Sequence, residues 1–334
     1  MEFKREKTLK IRRLAVSVIS TFFLFASMPS IAQLTADQEK AKTEGITLYN
    51  QYKPAESQLS VAAEAGDREA QFYLASAIKN DKQYMTSEAF KWYEASAEQG
   101  DYYAMLQLSQ SDEDLCTVMK NCKAGATSSD EWFTKLINTA KPNAENGDAE
   151  AMAVLYEATG KIEWLEKASN AGYPQAQYKL ANLYRDGAGI FIIPGSRHKA
   201  VLQLLKSAAE SGYPKAMMYY FGELRGKNSL VEARHWLEVA ADTGYEPAVY
   251  NYGYFLAIDP GAIGLREDLI KGHALISTLK ILDGGGDVQN YVNDALPQIE
   301  AKMTKDQLDQ ALKFAVKWKS SHPPLSFLPD KIGD

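Results

Sequence analysis

Lys167-Ala-Ser-Asn-Ala-Gly-Tyr-Pro-Gln-Ala-Gln-Tyr-Lys-Leu-Ala-Asn-Leu-Tyr-Arg-Asp-Gly-Ala-Gly189 reads as the end of one helix, a tight turn, a second helix and a glycine exit. Gly172 suits the left-handed position just past a helix C-terminus, and Pro174 suits a first helical position, where no N–H needs a partner. Gly172-Tyr173-Pro174 is therefore a helix–turn–helix hinge.

The rest of the chain is a variation on this unit. Hinge glycines recur at Gly66, Gly100, Gly147, Gly172, Gly212 and Gly244, with a degenerate seventh copy expected at Gly285 or Gly286. Four residues after each of the six stands alanine: Ala70, Ala104, Ala151, Ala176, Ala216 and Ala248. Eight residues after each stands a larger group: Leu74, Leu108, Leu155, Leu180, Tyr220 and Tyr252. A small and a bulky residue four apart share one helical face. Trp92, Trp164 and Trp236 each precede their glycine by eight residues, and a position repeated within one chain marks packing. Asp67, Asp101 and Asp148 directly follow their glycines, where a carboxylate can accept the first N–H groups of the next helix.

The glycine spacings of 34, 47, 25, 40 and 32 residues lie near the period of helical-pair solenoids, with loops of varying length. Ala89-Phe-Lys-Trp-Tyr-Glu-Ala-Ser-Ala-Glu-Gln-Gly-Asp101 and Leu180-Ala-Asn-Leu-Tyr-Arg-Asp-Gly-Ala-Gly189 resemble the two halves of a Sel1-like repeat. The resemblance covers roughly Thr35 to Trp318. It departs in the third unit, where Thr159-Gly160 leads into Trp164 and the inter-helix loop is nearly deleted. It implies an all-α fold, a right-handed α/α solenoid of TPR-related helix–turn–helix repeats, and an adaptor or assembly role in binding other proteins.

The expected organisation is a signal peptide over 1–32, capping helices over 33–65, repeats over 66–303, a capping helix over 304–319 and an extended tail over 320–334. Six basic residues from Lys4 to Arg13, the apolar run Leu14 to Ala26 and Ser30-Ile31-Ala32 give the first segment the pattern of a secretory signal cleaved near Ala32. The apolar run is short for a membrane-spanning helix, so no integral span is expected after cleavage. The mature chain is then periplasmic. Thr304-Lys-Asp-Gln307 has the pattern of a capping box opening the last helix. In the tail, Leu325 and Phe327 are expected against that helix.

The 334 residues carry a formal charge of −6. Removing residues 1–32 takes away six basic and two acidic groups, which moves that figure from −6 to −10. An acidic surface disfavours nucleic acid and anionic membranes and favours a basic protein partner, mainly through steering. In an oxidising compartment Cys116 and Cys122 would close a small disulfide loop, worth about 2–3 kcal/mol in the chain-entropy picture. No further soft ligands stand near them, so no metal or cofactor is expected.

His198, His235, His273 and His322 fall in different units, and no metalloprotease, nucleophile-elbow or phosphate-loop motif is present, so no catalytic residue is assigned. The residues six and ten past each glycine form a second, more polar face that could line the groove of a superhelix; alternatively, the first of each pair packs on the adjoining repeat. From that face come the candidate partner-binding residues Glu157, Tyr178, Asn182, Met218, Tyr250 and Tyr254. The loop Ile190-Phe-Ile-Ile193 is unusually apolar and is expected to fold back onto the neighbouring helix pair; failing that, it is an exposed contact point.

Within the binding class, the sharper expectation is a periplasmic immunity protein that neutralises a phospholipase-type effector of a contact-dependent (type VI) secretion system. Exported proteins resembling this one occur beside such effectors. The alternatives are an envelope adaptor for a signalling or polysaccharide-export complex and, more remotely, a cell-wall or β-lactam hydrolase.

Overall fold

The computed structural model describes residues 34–111, 127–282, 286–329 and 331. The expected signal segment and the Cys116–Cys122 pair lie outside them. Sixteen α-helices are found among the described residues: α1 (Ala36–Asn50), α2 (Glu56–Glu64), α3 (Arg68–Lys82), α4 (Ser87–Glu98), α5 (Tyr102–Ser109), α6 (Ser129–Glu145), α7 (Ala149–Thr159), α8 (Ile162–Asn170), α9 (Pro174–Arg185), α10 (Ser196–Glu210), α11 (Pro214–Gly226), α12 (Leu230–Asp242), α13 (Glu246–Ala257), α14 (Leu269–Thr278), α15 (Asp287–Glu300) and α16 (Lys305–Ser321). From α1 to α15 each packs on its neighbours in sequence, and α16 packs back on α14, which gives an α/α solenoid.

The hinges set this arrangement. All six hinge glycines have φ between 79° and 100°, backbone that a Cβ would strain. At the first five, the glycine N–H and the next N–H turn back to the carbonyls of the helix just ended. Gly172 N–H donates to Ser169 O (3.0 Å) and Tyr173 N–H to Ala168 O (3.1 Å), and the same two bonds recur at Gly66, Gly100, Gly147 and Gly212. This double bond satisfies two carbonyls left over at the helix end. The next helix starts at once. Asp67, Asp101 and Asp148 accept the N–H of Ala70, Ala104 and Ala151 at 2.8–3.0 Å, whereas α9, α11 and α13 have proline in their first turn. Gly286 (φ 94°) precedes α15.

The alanines four past each glycine are 0–2% exposed and form a spine along which successive helices approach closely. The buried side chains form one large set from Ala55 to Leu180 and another from Ala181 to Leu325, both of which receive Tyr184 and Leu204, with a small third set of Ala274, Ala311 and Ala315. The core is thus spread along the array, as a solenoid requires. Trp236 is buried, while Trp92 and Trp164 pack at its margin with Lys91 and Lys167 over their rings.

Tyrosines tie neighbouring helices through their hydroxyls. Tyr93 shares a hydrogen bond with Ser76 (2.9 Å), and Tyr252 donates to Glu238 (2.6 Å), which also takes Lys271 (3.1 Å). Burial raises the pKa of Tyr93. Burial, then the bond to Glu238, pushes Tyr252 up to about 12.

The apolar loop corrects the sequence expectation. Ile190, Ile192 and Ile193 are 93%, 90% and 73% exposed, so the tip stands in solvent instead of folding back. What holds the loop is Arg197, whose guanidinium donates to the carbonyls of Tyr184 (2.6 Å), Gly189 (3.1 Å) and Ala188, and lies over the ring of Phe191. Only Phe191 gains apolar cover, edge-on to Tyr184.

The tail is tied to elements well beyond the last helix. Leu325 is buried, but the residues around it are held by the sixth hinge and the N-terminal cap. Ser326 N–H donates to Gly244 O (3.0 Å), Glu246 N–H to Ser326 O (3.0 Å), and Phe327 N–H to Asn50 O (2.9 Å). Gln51 Nε2 donates to Leu325 O (3.0 Å), and Phe327 stacks on Tyr52 at 4.9 Å. Adjacent tail amides therefore bond residues 194 positions apart in sequence, Asn50 and Gly244. The first loop and the sixth hinge meet across residues 325–327 of the tail, and a cleft opens on the inner side of the array.

Two outcomes test this architecture. Alanine at Gly212, where a Cβ meets open space, should cost about 1–2 kcal/mol from the positive φ alone. Alanine at Gly244 places its Cβ 2.6 Å from Pro324 O. It should cost about 2–4 kcal/mol and, unlike Gly212→Ala, deprotect the Ser326 amide in hydrogen exchange. For pH, the raised tyrosine values favour the neutral phenol in the fold. Their stabilisation is complete below the unfolded value of about 10 and is lost as pH climbs through the folded values. Melting temperature should fall between pH 10 and about 12 for Tyr252, and less so in Tyr252→Phe.

Candidate functional site

The second helices of successive units present the same face inward, and between them lies a cleft of about 580 Å3. Its walls are Tyr73 on α3, Tyr103 on α5, Glu150 and Glu157 on α7, and Tyr178 and Asn182 on α9, with Tyr173 and Tyr213 at the starts of α9 and α11. Leu328, Pro329 and Lys331 of the tail form its remaining edge. Tyr103, Glu150 and Gln175 stand three residues past their hinge glycines, Tyr178 stands six past, and Glu157 and Asn182 stand ten past. Steps of three and four keep these positions on one helical face.

The wall is internally bonded. Tyr103 and Tyr173 share a hydrogen bond of 3.0 Å between hydroxyls from different units. Lys179 donates to Glu157 at 2.6 Å, linking α9 to α7. Tyr178 meets Tyr213 edge-on at 5.4 Å. Burial raises the pKa of Tyr73 and, aided by Tyr173 and Glu150, that of Tyr103, so both phenols stay neutral across the physiological range. Burial also raises the pKa of Asp101, an effect opposed by the Ala104 N–H and by the positive charge of Lys331. Lys331 lies over three rings, with its Nζ 5.0 Å from the centre of Tyr103, 5.7 Å from Phe72 and 5.8 Å from Tyr73. The cleft is lined by aromatic faces, with the carboxylates Glu150 and Glu157 set against Lys179 and Lys331, and its ring faces suit a cationic or amphipathic polypeptide side chain.

The six groove candidates divide. Glu157, Tyr178 and Asn182 line the cleft. Met218 packs at the edge of the C-terminal core. Tyr250 and Tyr254 lie next to one another on α13, and Tyr250 packs against Tyr291 of α15 at 4.3 Å. Tyr73, Tyr103, Glu150 and Tyr173 were missed by the pairs at six and ten. The position three past the glycine, on the same face, carries Tyr103 and Glu150 and would have found those two.

The histidines are placed apart. His273 is buried with Nε2 3.0 Å from Glu300, His322 stacks on Trp318 at 4.5 Å, His198 lies 3.8 Å from Glu223, and His235 packs edge-on to Trp236. Among the described residues no group of three or more His, Cys, Asp or Glu side chains is placed to hold a metal ion. None of their helices is long and apolar enough to cross a membrane.

No protein-family model matches the chain. It is 28% identical over 214 residues to the Sel1-repeat-containing protein YjcO of Escherichia coli K12, an alignment covering 57% of this chain and 85% of that protein. The same figures hold for YjcO of Shigella flexneri. Among solved structures, c5321, a protective antigen of uropathogenic Escherichia coli displaying an SLR fold, aligns with a TM-score of 0.46 at 20% identity, over 86% of this chain and 62% of its own. A Sel1 repeat protein from Oxalobacter formigenes aligns with a TM-score of 0.40 at 19% identity, over 71% of this chain and 97% of its own. The hinge repeated at six glycines and the similarity to YjcO support membership of the Sel1-like repeat family.

Proposed function

We propose that this chain is a binding scaffold for another protein and that it holds a segment of that partner in the inner cleft. The observation that carries the reading is the cleft itself: one open volume of about 580 Å3 walled by four consecutive second helices. Several weak contacts can add along such a wall without any one unit burying much surface. The acidic groups Glu150 and Glu157 on that wall, and the formal charge of −6 on the chain, suit a partner segment that is basic.

Within this class the finer reading is an exported immunity protein that blocks an effector enzyme. Its support is the basic-then-apolar pattern over residues 1–32 followed by an acidic chain. The test begins with capture of partners from an envelope extract by the mature chain from Gln33, with and without Glu150→Gln and Glu157→Gln. A single effector-like enzyme captured by the native chain, with affinity reduced about tenfold or more in the double variant, is the expected outcome. Equal capture by a double variant with unchanged melting temperature removes the cleft from the interface. Cells expressing the chain that are no better protected from the captured enzyme than cells without it refute immunity and leave an adaptor.

A further inference from the structure

The tail is more than an edge of the cleft. From Leu325 to Phe327 it behaves as an added strand, with main-chain bonds to Gly244, Glu246 and Asn50. Such bonds hold any sequence and leave specificity to the side chains. Leu325 is buried, and Phe327 stacks on Tyr52. Leu328 then takes φ 49°, a left-handed conformation that an L-residue adopts under strain. Beyond this turn Pro329 and Lys331 enter the cleft, and the Lys331 ammonium comes within 5.8 Å of the centres of three rings. Strained backbone of this kind collects at ligand clamps.

The rings belong to the framework of the array. Phe72 is 1% exposed, Tyr103 is 6% exposed, and they face one another at 6.2 Å. An ammonium enclosed by several ring faces in a partly dry site is held by their quadrupoles, and Asp101 adds an opposite charge nearby. Most of the cleft volume remains open beside this lysine. The open part is bordered by Glu150 and Glu157, the latter paired with Lys179.

We propose that the ring-lined end of the cleft is a recognition site for a lysine side chain carried on an extended peptide strand, and that the chain's own tail is its resident occupant, placing Lys331 where a partner's lysine goes. This rests on the reading of the cleft as the partner site. The partner segment is then an extended, lysine-bearing strand, and it binds by displacing the tail, whose strained turn at Leu328 relaxes on release. Intramolecular occupancy keeps the rings covered and reduces apparent affinity by the fraction of chains in which the tail is home.

The test uses the full chain and a released variant, Ser326→Pro with Phe327→Ala, which removes the amide bonded to Gly244 and the ring stacked on Tyr52. The probes are two fluorescein-labelled synthetic peptides, Pro323 to Asp334 in native sequence and the same peptide with Lys331→Met, followed by anisotropy. The released variant should bind the native peptide about tenfold more tightly than the Met peptide and about tenfold more tightly than the intact chain does. Adding Tyr103→Ala should erase the difference between the peptides. Equal binding of both peptides by the released variant overturns lysine recognition and leaves the cleft as a partner site. Equal binding by intact and released chains overturns the tail as occupant. If the released variant binds neither peptide while keeping its helical circular dichroism, both the lysine site and the cleft reading fall. Should that variant not fold, Lys331→Met in the otherwise native chain serves instead. Exchange of the Ser326 and Phe327 amides should then quicken several-fold, and unchanged protection overturns the proposal.

Discussion

Everything in this chain hangs on a pair of hydrogen bonds made at a glycine. At the first five hinges the glycine N–H and the one after it close back onto the helix they leave, and only a residue at home at φ of 86–100° can do both. The consequence is directional. The turn is short and its geometry repeats, so each second helix leaves its hinge at a similar angle, and the alanine four residues on arrives at the same depth against its neighbour. Repetition of a local bond pattern thus becomes a shared inner face, and positions three, six, seven and ten past the glycine converge on one cleft.

The sixth hinge breaks the pattern. Gly244 N–H still returns to Ala241, but Tyr245 N–H turns to the hydroxyl of Thr243 (3.3 Å), and the Gly244 carbonyl accepts the tail instead. A side chain at 244 would strike Pro323 and Pro324, whereas at the other five hinges nothing lies within 4 Å. Glycine is needed at five hinges for its φ and at the sixth for space as well. One sequence feature therefore serves two purposes: it spaces the helices, and it provides the berth from which the tail reaches the N-terminal loop and closes the array.

What was legible in the sequence was what repeats. Hinge glycines, the alanine spine, aspartate caps and the capping box at Thr304 are local patterns, each fixed by bonds within a few residues, and chemistry of that range leaves a signature at fixed spacing. The inner face was half legible. Glu157, Tyr178 and Asn182 were found from a periodic face. Tyr250 and Tyr254 sit at the same periodic positions, yet Tyr250 lies against α15, because the cover over a helical face is set by its spatial neighbours and not by its own spacing. The tail was not legible. Its anchoring bonds are mostly main chain to main chain, which any residue can make, and its partners are up to 277 positions away. The loop at Ile190 misled for the opposite reason. Its composition signals burial, but the glycines at 187, 189 and 195 and the Arg197 guanidinium hold its backbone where no neighbouring helix covers it.

The electrostatics of the cleft rest on the same geometry. Carboxylates drawn together on one inner wall would repel one another, and burial would add to that cost. The structure offsets both. Glu157 is paired with Lys179 from the next unit. Asp101 is capped by the Ala104 amide and faces Lys331, whose charge opposes the upward pull of burial on its pKa. The tyrosines contribute faces and no charge, since burial holds Tyr73 and Tyr103 as phenols. A wall made this way is strongly attractive to a cation only when a cation is present. Lys331 and Arg68 are the cations that oppose that pull on Asp101, and of the two Lys331 also lies over the rings of the wall. A tail that brings an ammonium over these rings therefore serves the electrostatics of the wall as well as its shape.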